Sequence, residues 1–380
     1  MLRIRRYMMK KFCSRAMKDN KGLNMEEKKI CFRAIDPVLE TNIVLPIEED
    51  SHRGFIKWGV NNDYPQYINN LYKDVATLKS IIDGTVDFVV GDEIHIDDLV
   101  FDVQVNDKGV TIEDLCRDLS RDYLKYGGFA VNVVRNKEGN VGGLYFIPLE
   151  RLRFNEDKSE FYYSRDWEKS IGRVKYTVYP KFSATAKDAN SIFVYTNNST
   201  DVYPSPKWAA STKSAEIERQ VNEYHLNSIL NGFSASYLIS MNNGIPSETE
   251  ADEIEENIIE KFSGSGNGGR IVINFANDRD HSAELNKLET EDAGEKYKSL
   301  IERTKNELFT AFRATPNLFG LPTATGFSNE EYMEAFKLYN RTAVRPIQNI
   351  LVRVIKAITD KDITIVPFTL EDKKEEKVEE

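Results

Sequence analysis

The sequence predicts an α+β fold, and three observations support this class. Apolar residues recur at helical spacing between residues 63 and 126 and again from residue 214 onwards. Short runs of β-branched and aromatic residues, separated by turn residues, fill the stretch 129–195. With 380 residues, of which 41% are hydrophobic, the chain is long and apolar enough to fold into two or three domains.

The first half of the chain is predicted to begin with three helices. Asp63 precedes a proline and a glutamine, which is typical of a helix start, and residues 77–90 carry apolar side chains at helical spacing up to Gly91. A third helix is predicted over 112–126, with Thr111 as its N-terminal cap. A β-rich subdomain follows, with predicted strands at 129–135, 143–147, 161–164, 174–179 and 191–195.

The second half is predicted to combine long helices with a small insert. Helical spacing returns at 214–231. A strand at 236–241, a helix that opens with a capping box at Ser247, and a strand at 270–275 then predict a compact β-α-β unit. Another helix is predicted over 292–312, with apolar residues along one side.

A loop and a final long helix complete the pattern. The loop 315–327 is rich in proline and glycine, and a capping box at Ser328 opens a helix that reaches about residue 358. Pro346 lies inside this helix and has no N–H to donate. We therefore expect a kink near Arg345.

Charge and cysteine content restrict the class of protein. The 51 basic and 61 acidic residues give a net charge of -10, which argues against a protein that wraps nucleic acid by bulk positive charge. Three scattered cysteines, Cys13, Cys31 and Cys116, indicate a reducing compartment rather than a disulfide framework. No apolar stretch is long enough for a membrane helix, and the basic start predicts a solvated arm or a contact for an acidic partner or nucleic acid.

No motif in the sequence supports an enzyme. The glycine-rich segment 264–269 follows a predicted helix and precedes a predicted strand, which is the reverse of the order in a dinucleotide-binding site, and no P-loop sequence occurs. Asp114, Asp118 and Asp122 recur on one helix face and could resemble a carboxylate metal site. Arginines alternate with them, however, and this pattern favours a solvated face.

Several short motifs occur in order along the chain. They are WGVNNDYP at 58–65, VVGDE at 89–93, YGGFA at 126–130, YFIPL at 145–149 followed by RLR at 151–153, AFRATPNLFGL at 311–321, and TGFSN at 325–329 before a helix containing Arg345-Pro346. Together they resemble the portal proteins of tailed bacteriophages over roughly residues 58–358.

This resemblance implies a ring, usually of twelve subunits, at one vertex of a capsid. Double-stranded DNA would be packaged through the ring by a terminase motor and later ejected. The implied partners are further copies of the chain, terminase, capsid and scaffold proteins, and a head-completion or tail adaptor. No cofactor, metal or membrane is implied. The expected location is the virion, and the host cytoplasm during assembly.

The resemblance also assigns a portal-like part to each segment. The expected parts are an N-terminal basic arm and lead-in (1–57), a wing of helices and a β-rich subdomain (58–210), stem helix 1 (211–232), a β-α-β clip (233–290), stem helix 2 (291–314), a tunnel loop (315–328), a kinked wing helix (329–360), and a short crown remnant with a charged tail (361–380).

Two sets of residues are expected to carry this function. Acidic residues of the clip are expected to meet a basic patch on terminase; they are Glu255, Glu256 and Glu260. The tunnel loop has no Lys or Arg between its expected channel-facing residues, so DNA should slide past it with little salt dependence. These loop residues are Asn317, Leu318, Gly320, Thr323, Ala324, Thr325 and Gly326.

Two other classes stay open from the sequence. One is a metal-dependent nucleic-acid enzyme that uses the acidic positions around Asp118. Magnesium-dependent cleavage of plasmid DNA would indicate this class. The other is a structural or adaptor protein, not from a phage, whose helices bind a peptide partner. An adaptor is expected to be monomeric or dimeric in solution, whereas a portal protein forms larger rings.

Overall fold

A computed structural model divides the chain into two compact units. The smaller unit holds the described residues of 1–39 and 227–289, and the larger unit holds those of 40–226 and 290–380. The structure describes residues 32–34, 43–97, 103–167, 173–186, 188–230, 237–241, 244, 246–247, 249–254, 271–275, 293–321 and 329–369.

The long helices form where the sequence has helical spacing. The predicted cap at Thr111 is confirmed, because its Oγ1 accepts the backbone N–H of Asp114 at 3.1 Å while the Asp114 carboxylate accepts the N–H of Thr111. The helices are α1 (Tyr64–Asp74), α2 (Ala76–Val90), α3 (Ile112–Tyr126), α4 (Thr212–Leu230), α5 (Ala293–Phe312), α6 (Asn329–Tyr339) and α7 (Arg345–Thr359).

Short antiparallel strands build the β-rich part of the larger unit. One sheet has β5 at its centre between β6 and β10, another has β8 between β7 and β9, and β2 pairs with β3. The mixture of helices and small sheets confirms the α+β class. The strands are β2 (Glu48–Asp50), β3 (Ile56–Trp58), β5 (Gly128–Arg135), β6 (Val141–Ile147), β7 (Leu152–Phe154), β8 (Glu160–Tyr163), β9 (Thr177–Pro180) and β10 (Asn190–Thr196).

Two of the sequence motifs meet in the core around Asn62. This residue has a φ of 64°, and its side-chain Oδ1 accepts hydrogen bonds from the backbone N–H of Trp58 and from Arg153. Arg153 is only 1% exposed. It also donates to the carbonyls of Asn62 and Glu150, at 2.8 and 2.9 Å. The motifs at 58–65 and 151–153 therefore form one buried polar connection.

Aromatic rings enclose this connection. Trp58 is fully buried and stacks on Tyr203, with ring centroids 4.4 Å apart. The Arg153 guanidinium lies 4.7 Å from the centre of the Trp167 ring. Burial lowers the pKa of Arg153 to about 10, so the side chain keeps its charge at neutral pH. These family-like motifs thus have a structural role in the core.

The smaller unit contains a β-α-β arrangement. β11 (Tyr237–Met241) and β12 (Ile271–Phe275) are parallel neighbours, and residues 249–254 between them are helical. Parallel strands require such a crossover connection. The capping box at Ser247 is confirmed, because the Ser247 backbone N–H donates to Glu250 at 2.9 Å and Ser247 Oγ accepts the N–H of Glu250.

A strand from the N-terminal region joins this small sheet. β1 (Phe32–Ala34) pairs antiparallel with β12, so that β12 lies between β1 and β11. The sequence predicts a basic arm and lead-in over these residues and no strand. Three residues are too few for a periodic signal in the sequence. Residues 1–31 lie outside the described part of the chain.

The C-terminal region differs from the expected crown remnant. β13 (Ile363–Val366) pairs antiparallel with β4 (Glu93–Ile96), and the side chains of Ile363 and Ile365 are buried in the core of the larger unit. The pairing is made possible by Gly91, whose φ of 73° turns the chain out of α2 beside the carbonyl of Val366. Residues 363–366 are therefore part of the body.

The break before Pro346 takes a specific form. Residues Asn340–Val344 form a π-helical segment between α6 and α7. A proline at this position cannot donate to the preceding turn, and the wider π turn accommodates the lost hydrogen bond. Within the described residues, no helix is both long and apolar enough to cross a membrane.

Candidate functional site

The two helices predicted as stems form an antiparallel pair. Near one end of the pair, Ser214 of α4 donates a hydrogen bond to the carboxylate of Glu307 in α5. Ten residues further along α4, the rings of Tyr224 and Tyr297 lie 5.4 Å apart. His225 belongs to the same ring cluster, 5.3 Å from Tyr297, and is half-buried rather than in the core.

Each helix of the pair contacts the core of the larger unit near one of its ends. In α5, Leu308 and Phe312 are buried in the core of the larger unit. Phe312 stacks on Trp208, which itself donates to the carbonyl of Leu124. Large apolar side chains of α4 are exposed: Ile217 by 37% near the start of the helix, and Tyr224 by 47% and Leu226 by 57% further along it.

Glu218 joins α4 to α2. This glutamate is 4% exposed, and its Oε1 accepts hydrogen bonds from both the backbone N–H and the Oγ1 of Thr77. Val75, the N-cap residue of α2, cannot cap the helix with its own side chain. Glu218 therefore supplies the missing acceptor and a negative charge at the helix N-terminus. No pattern in the sequence predicts this contact, because the two residues are 141 positions apart.

An open groove lies along the body end of α5. It encloses about 700 Å³ and is lined mainly by polar side chains from α5 and from the turn before α4. Arg303 and Glu307 form an ion pair at 2.9 Å along its wall. The groove has no convergent set of catalytic groups, and its lining includes Lys207, Ser211, Ser299, Glu302, Asn306 and Thr310.

The first part of the predicted tunnel loop is a short, anchored turn. Arg313 has a φ of 56°, Pro316–Phe319 form a 3₁₀ helix, and Gly320 ends it with a φ of 76°. Leu318 was expected to face a channel, but this is wrong, since its side chain is 7% exposed and packs in the core. An apolar side chain next to a buried surface is more stable there than in water.

Phe319 anchors the same turn in an aromatic pocket. Its ring lies 5.9 Å from those of Phe309 and Tyr339 and 6.1 Å from that of Phe88. The ring also covers Gly84 of α2, and a Cβ atom at Gly84 would lie 2.8 Å from it. The glycine is therefore required for this close approach.

We expect Gly84→Ala to release the turn without unfolding the protein. The new methyl group must displace the Phe319 ring, while alanine favours the helix by about 1 kcal/mol over glycine. Hydrogen exchange should speed up several-fold at residues 316–321 and stay unchanged in α3. Ser80→Ala, an exposed position in the same helix, is the matched control. Unchanged exchange at 316–321 in Gly84→Ala would contradict the anchoring role of Phe319.

The remaining predicted site residues divide into two groups. Asn317 is half-buried and its Oδ1 has no hydrogen-bond partner among the described residues, while Gly320 is exposed. The other predicted residues of the loop and the clip lie outside the described part of the chain, as does the capping residue Ser328. They are Thr323, Ala324, Thr325, Gly326, Glu255, Glu256 and Glu260.

The three aspartates of α3 bind separate partners. Asp114 is paired with Thr111, Asp118 accepts from Arg121 at 2.9 Å, and the buried Asp122 accepts the backbone N–H of Leu149 at 2.7 Å. In the described part of the chain, no group of three His, Cys, Asp or Glu side chains is placed to hold a metal ion. The aspartates thus have structural partners within α3 and at Leu149, which follows β6.

Burial makes the stability contribution of Asp122 depend on pH. Desolvation raises its pKa to about 6, although Lys125 and the Leu149 N–H act in the opposite direction. The unfolded chain therefore loses this proton near pH 4 and the folded chain near pH 6, so stability falls as pH rises through that window. The melting temperature of Asp122→Asn should therefore rise relative to that of the wild type as the pH is increased from 4 to 7. A difference in melting temperature that stays constant from pH 4 to 7 would contradict the raised pKa of Asp122.

The known proteins to which this chain is similar are found among solved structures. No protein-family model matches the sequence. No curated protein matches it either. Among solved structures, a chain from the virion of a native gene transfer agent (GTA) particle shares 15% identity with a TM-score of 0.51, covering 80% of this chain and 83% of that chain.

Two further structures are similar with lower scores. A chain from the neck of a native GTA particle, computed with C12 symmetry, has 15% identity and a TM-score of 0.48, with 81% of this chain and 85% of that chain covered. An HK97-family phage portal protein from Corynebacterium diphtheriae has 14% identity and a TM-score of 0.41, with 79% and 94% covered. In its fold the chain is therefore similar to a chain of the GTA virion.

Proposed function

We propose that this protein is a portal subunit, one copy of a ring at a capsid vertex through which double-stranded DNA is packaged and ejected. The observation that carries the proposal is the fold shared with a virion chain over 80% of the sequence. The ordered motifs also support it, because two of them meet in the core, where Arg153 binds Asn62.

The exposed apolar side chains of α4 support a ring. Ile217, Tyr224 and Leu226 are large, and leaving them in water costs free energy that a neighbouring subunit would recover. A closed ring repeats one such contact between identical copies, and the family resemblance implies twelve of them. Twelve copies would carry a total formal charge of about -120, so the assembly as a whole would hold DNA weakly.

Two segments have functional parts in this proposal. The loop after the Phe319 anchor narrows the channel, with the small residues of 323–326 next to the DNA and Leu318 excluded because it is in the core. The clip, residues 233–290, docks terminase and later the head-completion proteins. Its acidic residues Glu255, Glu256 and Glu260 would meet a basic surface.

The mass of the purified protein in solution tests the ring. Mass photometry at several salt concentrations should show a large species that is a multiple of 43.6 kDa. A strictly monomeric or dimeric protein across micromolar concentrations would contradict the proposal and favour an adaptor. Magnesium-dependent cleavage of plasmid DNA, measured in parallel, would instead indicate a nucleic-acid enzyme.

A further inference from the structure

The last two helices carry a row of basic side chains that the proposed function has not used. Between Glu334 and Asp360 there is no acidic residue, although the average for this acidic chain would place about four there. Along the end of α6, the π segment and α7, a series of exposed residues occurs at every fourth position. Four of these residues are basic and one is Asn349. We call these residues the basic row: Lys337, Arg341, Arg345, Asn349 and Arg353.

The basic row lies on a rigid support. The opposite side of α7 is buried through Ile347, Leu351 and Ile355. Gln348 also donates to the carbonyl of Val89 in α2 at 2.9 Å. Each step of four residues rises by about 6 Å along a helix, so the basic row spans roughly 24 Å. The spacing of its charges is therefore set by the fold.

The arginines of the basic row are not neutralised within the protein. Arg341, Arg345 and Arg353 are exposed, and none of them forms an ion pair with a described residue. Elsewhere in the larger unit, the half-buried Arg117 pairs with Asp87 and the exposed Arg303 pairs with Glu307. A line of unpaired positive charge on an acidic protein is suited to an external polyanion.

We propose that the basic row contacts the phosphate backbone of double-stranded DNA. Roughly 24 Å of duplex presents about 14 phosphate charges, and arginine and asparagine both donate to phosphate oxygens. An acidic protein surface is the other candidate partner. A protein interface needs an apolar centre, and within its described residues α7 exposes no large apolar side chain. Leu338, 65% exposed, lies at the α6 end only.

This proposal rests on the proposed function only in naming DNA as the polyanion that the protein meets. It also changes one expectation from the sequence. The tunnel loop has no basic residue, so sliding past it should depend little on salt. The basic row is a separate place where contact with DNA depends on salt.

The test uses the full-length protein and a short fluorescent DNA duplex. Arg341, Arg345 and Arg353 are replaced together by glutamine, and binding is followed by fluorescence anisotropy between 50 and 200 mM salt. The slope of log K against log salt should become less steep by about 3, because each lost phosphate contact removes about 0.9. The affinity at 50 mM salt should fall by more than about tenfold.

A matched control changes the net charge by the same amount elsewhere. Lys137, Arg173 and Lys175 are exposed and form no ion pair with a described residue. Their joint replacement by glutamine should leave the affinity within about twofold of the wild type. Equal loss in the control, an unchanged slope in the arginine variant, or no measurable wild-type binding at 50 mM salt would each overturn the proposal.

The oligomer is measured on the same samples, so that failure of the ring is distinguished from failure of DNA contact. The arginine variant should keep the solution mass of the wild type. If this variant and Leu338→Ser both lost the oligomer while DNA affinity stayed unchanged, the basic row would be a protein interface, and the DNA proposal would be wrong. Loss of DNA affinity with the mass unchanged supports it.

Discussion

Arg153→Ala should lower the free energy of unfolding by about 3–5 kcal/mol, as for loss of one partner of a buried charged contact. The substitution removes the Arg153 donor from three acceptors inside the core, which are Asn62 Oδ1 and the carbonyl oxygens of Asn62 and Glu150. It also removes the guanidinium from the face of the Trp167 ring. Lysine at this position should restore little of the loss, because an ammonium cannot reproduce the planar fork of donors.

Urea unfolding followed by tryptophan fluorescence measures this effect. Trp58 and Trp167, two of the three tryptophans, lie next to the Arg153 network, so the signal reports on the region that is changed. Arg151→Ala is the matched control, since Arg151 is only two residues away but half-exposed. A loss in Arg153→Ala no larger than in this control would mean that the buried connection does not support the fold.

Gly91→Ala should be the other strongly destabilising change, by about 3 kcal/mol or more. Gly91 has φ 73° and ψ -158°, a region open almost only to glycine. A Cβ atom there would also lie 2.0 Å from the carbonyl oxygen of Val366, which is backbone and cannot rotate away. The pairing of β4 with β13 must separate to accept the methyl group, and Ile363 and Ile365 then lose their burial.

Limited proteolysis and urea unfolding together test this expectation. The C-terminal segment from about residue 360 should be cleaved early in Gly91→Ala and late in the wild type. Gly139→Ala is the control that introduces backbone strain without a steric clash. Gly139 has a φ of 90°, but no atom lies within 4 Å of an added Cβ atom. Similar behaviour of the two variants would show that the contact with Val366 is unimportant.

The sequence predicts local structure well in this protein. α3 has a cap at Thr111, apolar residues on one face and a glycine stop, and all these signals lie between Thr111 and Gly127. The strands of the β-rich subdomain are likewise marked by turn residues such as those before β6. Local signals are sufficient for α3 because its backbone hydrogen bonds join residues four positions apart.

Contacts between distant residues could not be predicted. The pairing of β4 with β13 joins two four-residue strands about 270 positions apart, and neither strand is long enough to show alternation. Glu218 resembles any charged residue of an amphipathic helix until α2 is placed against it. In the loop, small polar residues suggested exposure, whereas Leu318 and Phe319 are held by packing that the sequence does not display.

Imaging of the purified protein by negative-stain electron microscopy tests the central claim most directly. If the protein is a portal subunit, end-on views should show closed rings with a central hole and a constant number of subunits, probed at several salt concentrations because surface charges are screened by salt. The exposed side chains of α4 would lie at the contacts between copies. Monomers, or compact dimers with no central opening, at every concentration and salt tested would contradict the account.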